Sequence, residues 1–433
     1  MPGPLLLLRW AAIVAAVVFA VRRRSLTTWI LVSIVIGTEM GHDFPALATQ
    51  LRVFSQIFLR LIRTIVAPLL FATLVVGIAG HSDLKQVGRM GIKALIYFEV
   101  VTTLALAIGW VAITISGAGV GVALPPVVDA AALPTTPPRT WAEVLLDVFP
   151  DNIAKSVGEG HVLQVVVFSV FFGIALAMLP EARRRPMLAF AESLADTMFG
   201  FTKLIMYFAP IGVGAAIAYT VGQLGVGVLV NLLKLLATFY VAVAVFVGLV
   251  LVPVALIARV PLRRFAAAVV EPVSIAFATT SSEAALPRAM EAMEKFGVPR
   301  QIVAFVMPTG YSFNLDGSSL YLSLAAIFVA QAAGVELSIG QQFLLLLTLM
   351  LTSKGVAGVP RGALVILLGT VGSFGLPTEP VFMILGIDAL LDMLRTSVNV
   401  LGNCLATVVV ARWEGAFDDR KAPEALAAIP TPH

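Results

Sequence analysis

Long apolar runs separated by short polar or basic stretches make up almost the whole chain. A helix needs about 20 apolar residues to cross the hydrocarbon core of a bilayer. The pattern predicts spans of that length or longer at about 25–44, 51–80, 94–117, 161–180, 196–221, 228–258, 301–333 and 381–411. Composition agrees, because 59% of the 433 residues are hydrophobic and 12% are charged, outside the usual range of soluble domains. The sequence therefore predicts an all-α integral membrane protein.

Two further apolar stretches, at about 265–295 and 341–372, are interrupted by small and polar residues. They contain ATTSSEAALPRAM and LTSKGVAGVPRGA, which both carry a Pro-Arg pair. Glycine and proline free backbone polar groups that lipid cannot satisfy, so these stretches must be buried in protein or line a watery cavity. We predict two re-entrant helical hairpins in corresponding halves of an inverted repeat, a pattern typical of a transport site at the bilayer midplane. The alternative is a pair of kinked ordinary spans.

Basic residues cluster between the apolar runs, always after an even number of predicted crossings. The clusters are Arg22, Arg23 and Arg24; Lys85, Arg89 and Lys93; Arg183, Arg184 and Arg185; and Arg259, Arg263 and Arg264. Because basic loops stay in the cytoplasm, these loops and the C-terminal tail are predicted to be cytoplasmic. The net charge of +4 then reflects orientation, and no nucleic-acid partner is predicted. The longest connection, residues 118–160, is predicted to be an external loop.

Residues 1–20 form a further apolar run that directly precedes the first arginine cluster. A cleaved signal peptide carries its positive charges before its apolar core, not after it. We therefore interpret residues 1–24 as an extra membrane-associated helix or an overlong start. The single cysteine, Cys404, lies in an apolar stretch, so the sequence predicts no disulfide framework, no Cys/His metal cluster and no cofactor.

The last predicted span contains DALLDMLRTSVNVLGN, whose polar residues fall within an arc of ~80° on one helix face at ~100° per residue. They are Asp388, Asp392, Arg395, Asn399 and Asn403. A charge at the bilayer centre costs at least ~2.5–3.5 kcal/mol, so this face must meet protein or water. Arg395 fits a carboxylate, Asp392 can accept from an ammonium, and Asn399 can do either, which predicts an acidic amino acid as ligand. The alternative is an internal pair in which Arg395 neutralises Asp392.

The preceding span contains PTGYSFNLDGSSLYLS. Asn314 and Asp316 flank Leu315 and are followed by Gly317, so we expect the helix to unwind and expose carbonyl groups beside a carboxylate. This chemistry suits a small cation. The alternative is that Gly317 is only a packing notch and that Asp316 pairs with a cation such as Lys354.

Four motifs, SSEAALP, PTGYSFNLDGSSLY, TSKGVAGVP and GIDALLDMLRTSVNVLGN, closely resemble those of the dicarboxylate/amino acid:cation symporter family, which includes the glutamate transporters. Over about residues 25–418 the chain is most similar to the bacterial proton–glutamate/aspartate symporters. The resemblance implies eight spans and two re-entrant hairpins with inverted repeats. It also implies a homotrimer in the bacterial inner membrane, in which each protomer moves a transport domain against a trimerisation scaffold.

This resemblance implies a division of the chain into segments that belong to the scaffold or to the transport domain. The segments are 1–24, the apolar extension; 25–93, scaffold helices one and two; 94–117, helix three of the transport domain; 118–227, the external loop and scaffold helices four and five; 228–258, helix six of the transport domain; 259–415, the transport core; and 416–433, the cytoplasmic tail.

The resemblance also implies roles for individual residues. Arg395 would hold the side-chain carboxylate of the substrate, and Asp392 and Asn399 would hold its amino and main-chain groups. The first hairpin tip would add backbone contacts, and the second hairpin, around Gly358 to Gly362, would be the gate. The implied substrate-binding set is Ser281, Ser282, the hydroxyl of Ser318, Val359, Gly362, Asp392, Arg395, Thr396 and Asn399.

The cation-coupling residues depart from those of sodium-coupled members of the family. Those members resemble one another in having an acidic residue at the position of Asn403 and a methionine at that of Leu315. An amide holds a cation less strongly than a carboxylate does. We therefore expect the sodium site implied by the resemblance to be degenerate, and we assign no metal to it. Its residues here would be Gly310, Asn314, Asn399 and Asn403.

Proton coupling also needs a carrier other than the one in mammalian members, since Leu322 matches the position of their glutamate. Glu99 stands where sodium-coupled relatives have a tyrosine, and we expect it to be buried, where desolvation favours a carboxylate that exchanges protons near neutral pH. Our hypothesis is that Glu99 and Asp316 share the coupling protons. The alternative is that Glu99 supports a helix contact through Thr102 or Thr103. The coupling candidates together are Glu99, Asp316, Asn314, Gly310 and Asn403.

Two other function classes fit the sequence less well than transport does. A hydrolase could pair Ser281 or Ser282 with Lys354, but no oxyanion motif supports it, and we predict no enzyme. A passive channel seldom holds a fixed pair such as Asp392 and Arg395 across its path. We therefore predict a proton-driven symporter of glutamate and/or aspartate. The alternatives are sodium coupling and a C4-dicarboxylate substrate, which Asp392 disfavours because it would repel a dianion without an ammonium.

Overall fold

A computed structural model gives the fold and describes residues 4–80, 84–122, 146, 149–159, 162–353 and 362–420. The described part of the chain is mostly helical and contains no strand, which confirms the predicted all-α class. Its helices are α1 Pro4–Arg23, α2 Leu26–Asp43, α3 Pro45–Gln50, α4 Arg52–Ala79, α5 Leu84–Ser116, α6 Ile153–Glu159, α7 Val162–Ala177, α8 Glu181–Met206, α9 Ala209–Leu224, α10 Val228–Phe246, α11 Val252–Ile257, α12 Leu262–Thr279, α13 Ser282–Phe296, α14 Arg300–Phe313, α15 Asp316–Ala332, α16 Ile339–Ser353, α17 Gly362–Ser373 and α18 Glu379–Trp413.

Several helices have the length and hydropathy of membrane spans. Among the described residues these are Met90–Ser116, Val228–Ile257 and Arg300–Ala332, with the bent pair α8 and α9 as a further candidate. Large apolar side chains are exposed on many helices, as expected where a protein meets lipid. The chain is therefore a multi-pass membrane protein, and the number of eight spans stays a prediction.

Two predicted boundaries are wrong. The apolar run 196–221 is not one straight helix, because α8 and α9 meet at a bend of 52°. Pro210 lies in the first turn of α9, where its missing N–H does no harm, whereas inside a continuous helix it would remove a hydrogen bond and clash. The predicted loop 118–160 also contains a short helix, α6, which packs against α7.

Two groups of helices pack mainly among themselves. In the first group α9 lies against α2, α3 and α4, and α4 also packs against α7 and α8. In the second group α15 contacts α5, α10 and α18, while α12, α13 and α14 also pack against α18. All residues of α15 except Gln331 are buried. The two groups meet at several places, of which the contact of α9 with α18 is the most extensive.

Both interrupted segments fold as pairs of helices. Between α12 and α13 the chain turns at Thr280, which has a left-handed φ of 52°, and at Ser281, whose hydroxyl accepts a hydrogen bond from a backbone N–H of α13 (3.3 Å). An ion pair between Arg288 and Glu271 (3.5 Å) links the two helices. Helices α16 and α17 also pack against each other. That either pair enters the membrane only part way stays a prediction.

The predicted unwinding near the Asn-Leu-Asp-Gly sequence is confirmed. Helix α14 ends at Phe313 and α15 begins at Asp316. Between them Asn314 has φ −111° and ψ 71°, and Leu315 has φ −102° and ψ 60°. The break is buried, because Asn314 and Asp316 are both 0% exposed. Its backbone groups therefore need partners within the protein.

The N-terminal apolar run forms helix α1, which returns along α2 after a two-residue turn. Arg9 contacts Asp43 (2.9 Å) and Glu39 (3.6 Å), and the Trp10 indole donates to Asp43 (2.9 Å). Ala20 is buried. Because these contacts join the start of α1 to the end of α2, the two helices run antiparallel. Residues 4–23 thus form a helix packed on α2, and both interpretations of residues 1–24 stay predictions.

We expect Arg9→Met to lower the free energy of unfolding by about 1–2 kcal/mol, because the side chain of Asp43 is only 8% exposed and would lose its counter-charge. Arg22→Met, at an exposed position of the same helix, is the matched control and should have little effect. Thermal unfolding of the detergent-solubilised protein measures both. Equal effects of the two substitutions would contradict the prediction.

Candidate functional site

The polar stripe predicted from the sequence lies on α18 and faces the protein interior. Its residues, each at most 5% exposed, are Asp388, Asp392, Arg395, Asn399 and Asn403. Helices α12, α13, α14 and α15 pack against α18 and cover it. The expectation that this face avoids lipid is confirmed.

The guanidinium of Arg395 stands between two carboxylates. Its Nε and Nη2 donate to Oδ1 of Asp392 (3.1 and 2.5 Å), and its Nη1 lies 3.6 Å from Oδ1 of Asp388. The ring of Tyr321 lies 4.5 Å from the guanidinium carbon, in cation–π geometry. Thr396 donates to the same oxygen of Asp392 (3.1 Å). The internal pair of Arg395 and Asp392, which is the alternative interpretation of the stripe, is therefore present. It is part of a larger cluster.

This cluster has an excess of negative charge when its carboxyl groups are ionised. One guanidinium faces two carboxylates, and the Tyr321 hydroxyl donates to Asp388 (3.3 Å). Buried charges persist only when they are paired and hydrogen-bonded. A third carboxylate, brought by a ligand, would therefore compete with Asp388 and Asp392 for Arg395, and the guanidinium is a candidate anion site.

Asn399 fastens α18 to the first turn of α15. Its Oδ1 accepts from the N–H groups of Gly317 (2.8 Å) and Ser318 (3.2 Å), and its Nδ2 donates to the Ser318 hydroxyl (3.0 Å). The first N–H groups of a helix have no partner within the helix, so Asn399 caps α15 from another helix. A Cβ at Gly317 would collide with the backbone carbonyl of Arg395. Close packing at Gly317 is therefore present together with the predicted unwinding, so the glycine is not only a packing notch, and the capping role of Asn399 was not predicted.

Four of the five residues predicted for cation coupling, all except Glu99, lie close together beside the break between α14 and α15. A Cβ at Gly310 would collide with Oδ1 of Asn403, and one at Gly402 with Oδ2 of Asp316. Asn314 donates to Asp316 (3.4 Å). Among the described residues the side-chain amide of Asn403 has no hydrogen-bond partner, and no group of three or more His, Cys, Asp or Glu side chains could hold a metal ion. A cation here would be held mainly by amide and backbone oxygens.

Glu99 is not buried, and this part of the prediction is wrong. It lies on an exposed position of α5, whereas Tyr97 and Phe98 beside it are buried. Phe98 reaches to 3.5 Å from the position of a Cβ at Gly310. Since successive helical residues point ~100° apart, the face of α5 that meets the coupling residues carries Phe98 and not Glu99. The Thr103 hydroxyl donates to the Glu99 backbone carbonyl (2.6 Å).

Both helices of the first hairpin pack against α18. Ser281 is partly buried and Ser282 is buried, and both lie where α12 and α13 meet. Both helices pack against α18, and the Ser397 hydroxyl lies 3.5 Å from the Val273 carbonyl of α12. The structure therefore joins this hairpin to the helix that carries Arg395.

The second hairpin is described only in its two helices. Gly362 is the first residue of α17. Val359, Gly358 and Lys354 lie outside the described residues, so the predicted gate, a Lys354 pair with Asp316 and the serine–lysine alternative stay predictions.

Two residues of the site have no role predicted from the sequence. Asp388 lies on the predicted stripe without an assigned function, and Tyr321 is outside the predicted sets. A signal for Tyr321 exists, because it follows Ser318 by three residues and residues three apart share a helix face. Asp388 likewise precedes Asp392 by one helical turn.

Comparisons with known proteins identify relatives of this chain. The sequence profile of the sodium:dicarboxylate symporter family matches residues 26–413. A proton/sodium-glutamate symport protein of Bacillus caldotenax is 42% identical over 94% of this chain and 99% of its own. A proton/glutamate-aspartate symporter of Escherichia coli K12 is 44% identical over 85% of this chain and 86% of its own. A C4-dicarboxylate transport protein of Paraburkholderia phymatum is 40% identical over 92% of this chain and 95% of its own. The resemblance inferred from the motifs is confirmed.

Gly317→Ala should destabilise the protein by at least ~2 kcal/mol, because the new methyl group overlaps the Arg395 backbone carbonyl where α15 and α18 touch. Gly372→Ala is the matched control, since a Cβ there meets no atom within 4 Å, and alanine in a helix is favoured over glycine by up to ~1 kcal/mol. Thermal unfolding of both variants compares the two sites. A stable Gly317→Ala protein would contradict the close approach of the helices.

Proposed function

This chain belongs to the sodium:dicarboxylate symporter family, and we propose that it is a secondary active symporter that imports glutamate and aspartate together with protons by alternating access. The observation that carries this proposal is the buried guanidinium of Arg395, held between Asp388 and Asp392 on α18. A site of this kind offers a carboxylate partner and an ammonium partner within one helical turn.

An acidic amino acid has two carboxylates and one ammonium, and the site residues match these groups. The Arg395 fork fits the side-chain carboxylate in bidentate geometry. Asp392 is left to accept from the ammonium, with Thr396 beside it. Asn399 and Ser318 are placed for the main-chain groups, which they would bind by exchanging their mutual hydrogen bond (3.0 Å). The remaining members of the proposed set are Ser281, Ser282, Val359 and Gly362.

A C4-dicarboxylate is the second candidate substrate, because a relative 40% identical is a C4-dicarboxylate transport protein. Such a dianion would satisfy Arg395 but would leave Asp392 without an ammonium. Two carboxylates facing each other in a buried site repel strongly. This repulsion favours an amino acid over a simple dicarboxylate.

Protons are the proposed coupling ions, and sodium is the alternative. Two observations bear on the choice: relatives carry both ions in their names, and the buried amide of Asn403 stands beside Gly310 and Asp316 where an acidic side chain would strengthen a cation site. Asp316 remains a candidate for a coupling proton. Glu99 remains one only as an exposed group of α5.

The two packing groups of helices suggest the moving parts. We infer that α5 and α10 to α18 form the transport domain and that α2, α4 and α7 to α9 form the scaffold, with movement at the contact of α9 with α18. Exposed apolar side chains on α8, such as Phe190 and Leu204, are suited to lipid or to subunit contacts. The proposed assembly is a homotrimer in the bacterial inner membrane, with a cytoplasmic C-terminal tail.

Uptake of labelled aspartate into proteoliposomes tests the coupling ion. We expect uphill accumulation when a pH gradient, acidic outside, is imposed without sodium. A sodium gradient alone at equal pH should give none. Accumulation that follows only the sodium gradient would establish the alternative.

Arg395→Lys should weaken the apparent affinity for aspartate by about 10- to 100-fold, because an ammonium cannot form the two parallel hydrogen bonds of a guanidinium. The matched control is Arg300→Lys, whose parent side chain is 87% exposed, and it should leave uptake unchanged. Concentration dependence of uptake measures both. An unchanged affinity in Arg395→Lys would remove the basis of the proposal.

Asp392→Asn should separate the two substrate classes. Loss of the charge-assisted contact to the ammonium lowers aspartate affinity by about 10- to 100-fold. Succinate lacks an ammonium, so its uptake should be maintained or increase as the repulsion disappears. Competition of unlabelled succinate with labelled aspartate gives the readout. A parallel loss for both compounds would contradict the assignment of Asp392 to the ammonium.

A further inference from the structure

We propose that Asp388 binds the proton that accompanies the substrate, and that Arg395 links this protonation to substrate binding. The inference rests on the proposed function and names a coupling residue for it. Asp388 belongs neither to the predicted substrate-binding set nor to the predicted coupling set, and it is 0% exposed within α18.

The side chain of Asp388 has charged or polar neighbours on its own helix and on α15. On its own helix it faces Arg395 at 3.6 Å, with Asp392 on the far side of the guanidinium. From α15 the Tyr321 hydroxyl donates to it (3.3 Å). From α10 the Tyr240 hydroxyl donates to the backbone carbonyl of Leu390 (3.2 Å), not to a carboxylate.

Toward the start of α18, one neighbour is apolar and the next ion pair among the described residues is nine residues away in sequence. Ile217 of α9 fills the space at Gly386. The ion pair of Arg52 with Glu379 (3.3 Å) lies at the start of α18, nine residues before Asp388 in sequence. A movement of the Arg395 guanidinium therefore changes the electrostatic environment of Asp388 more directly than a movement of Arg52 does.

The net charge of the cluster around Arg395 is the reason why a substrate would bind together with a proton. With both carboxylates ionised, the cluster of Asp388, Asp392 and Arg395 carries one net negative charge. Glutamate or aspartate adds one more. Its side-chain carboxylate takes the guanidinium and its ammonium takes Asp392, which leaves Asp388 as an ionised group without its counter-charge. An uncompensated charge in a buried site is strongly unfavourable, and a proton on Asp388 returns the cluster to its former charge.

The same contacts give the coupling a direction. The proton comes from the external solution as Arg395 turns from Asp388 to the substrate. When the substrate leaves to the cytoplasm, Arg395 pairs with Asp388 again and the proton passes to water on that side. One proton therefore moves with each substrate, and the proton does not cross alone, because its binding requires an engaged Arg395.

Tyr321 serves as a positioning residue for both forms of Asp388. A phenol hydroxyl is a donor and an acceptor. It donates to the ionised carboxylate, as in this structure (3.3 Å), and it can accept from the protonated carboxyl group after rotation of its hydrogen. Its ring also lies 4.5 Å from the Arg395 guanidinium carbon, so one side chain contacts both members of the linkage.

The other candidate carboxylates are less well placed for this linkage. Asp316 accepts a hydrogen bond from Asn314 and lies close to Gly402, at the break between α14 and α15. Glu99 is exposed on α5. A substrate carboxylate that binds Arg395 competes directly with Asp388. Its effect on Asp316 and Glu99 is indirect.

The test compares wild type with Asp388→Asn in proteoliposomes by two measurements. In the first, a pH gradient drives uptake of labelled aspartate; wild type accumulates it, and the variant should stop when the inside concentration equals that outside. In the second, aspartate affinity is measured across pH. For wild type, affinity falls by about tenfold per pH unit above the pH at which the linked proton dissociates, whereas the variant should show no such dependence. Counterflow exchange against internal aspartate should remain measurable in the variant.

Further variants make the result specific. Glu271→Gln, at an exposed acidic position of α12, is the control and should behave as wild type. Tyr321→Phe should keep pH-driven accumulation with a shifted pH profile. If Asp388→Asn shows no exchange, Asp388→Glu decides: an exchanging Asp388→Glu protein whose affinity does not depend on pH overturns the proposal, and one whose affinity does supports it.

The outcomes separate this inference from the proposed function. Uphill accumulation by Asp388→Asn under the pH gradient overturns the inference and leaves proton symport intact. Loss of coupling in Asp316→Asn but not in Asp388→Asn would place the proton on Asp316 and also overturn it. A wild-type protein that accumulates aspartate with sodium only would instead refute proton coupling itself.

Discussion

A positive charge buried inside a membrane protein needs negative or polar groups beside it. The guanidinium of Arg395 is such a charge, and the packing around it depends on this requirement. Neither lipid nor bulk water stabilises its guanidinium, which is 2% exposed. Asp388, Asp392 and the ring of Tyr321 surround it instead. Because two of these groups lie on α18 and the third on α15, compensation of the charge fixes how these two helices face each other.

The same contact allows the chain to break between α14 and α15 inside the protein. A helix that begins in an apolar region leaves N–H groups that need acceptors. Asn399 supplies one acceptor for two of them, and the absence of a side chain at Gly317 lets the backbones of α15 and α18 touch. Asn399 thus holds α15 against α18 and also belongs to the proposed binding site. In the proposed function, a zwitterionic dicarboxylate would exchange with the ion pairs of Arg395 and with the hydrogen bonds between Asn399 and α15, so that binding would rearrange the contact of α15 with α18.

Much of this was accessible from the sequence. Apolar run lengths gave the helical class, and Gly and Pro gave the two helix pairs. The Asn-Leu-Asp-Gly sequence gave the break at Asn314 and Leu315, and helical periodicity gave the polar stripe. Each of these follows from local backbone geometry. The errors have a different origin: Glu99 was expected to be buried because its motif resembles a cation site, but its angular position on α5, one residue beyond Phe98, turns it outward. The bend between α8 and α9, next to Pro210, was not predicted because the length of an apolar run does not show where a proline interrupts a helix.

The sequence by itself determined which side chains share a helix face, since the angle between successive residues is the same in every helix. It could not determine which partner each buried group meets, because Arg395 and Tyr321, or Asn399 and Gly317, are joined only after distant helices pack. The tertiary structure decided that Arg395 is shared by two carboxylates, that Asn399 caps a neighbouring helix, and that Glu99 is exposed. Burial turns these pairings into strict requirements, since an unpaired polar group far from water is too unfavourable to persist.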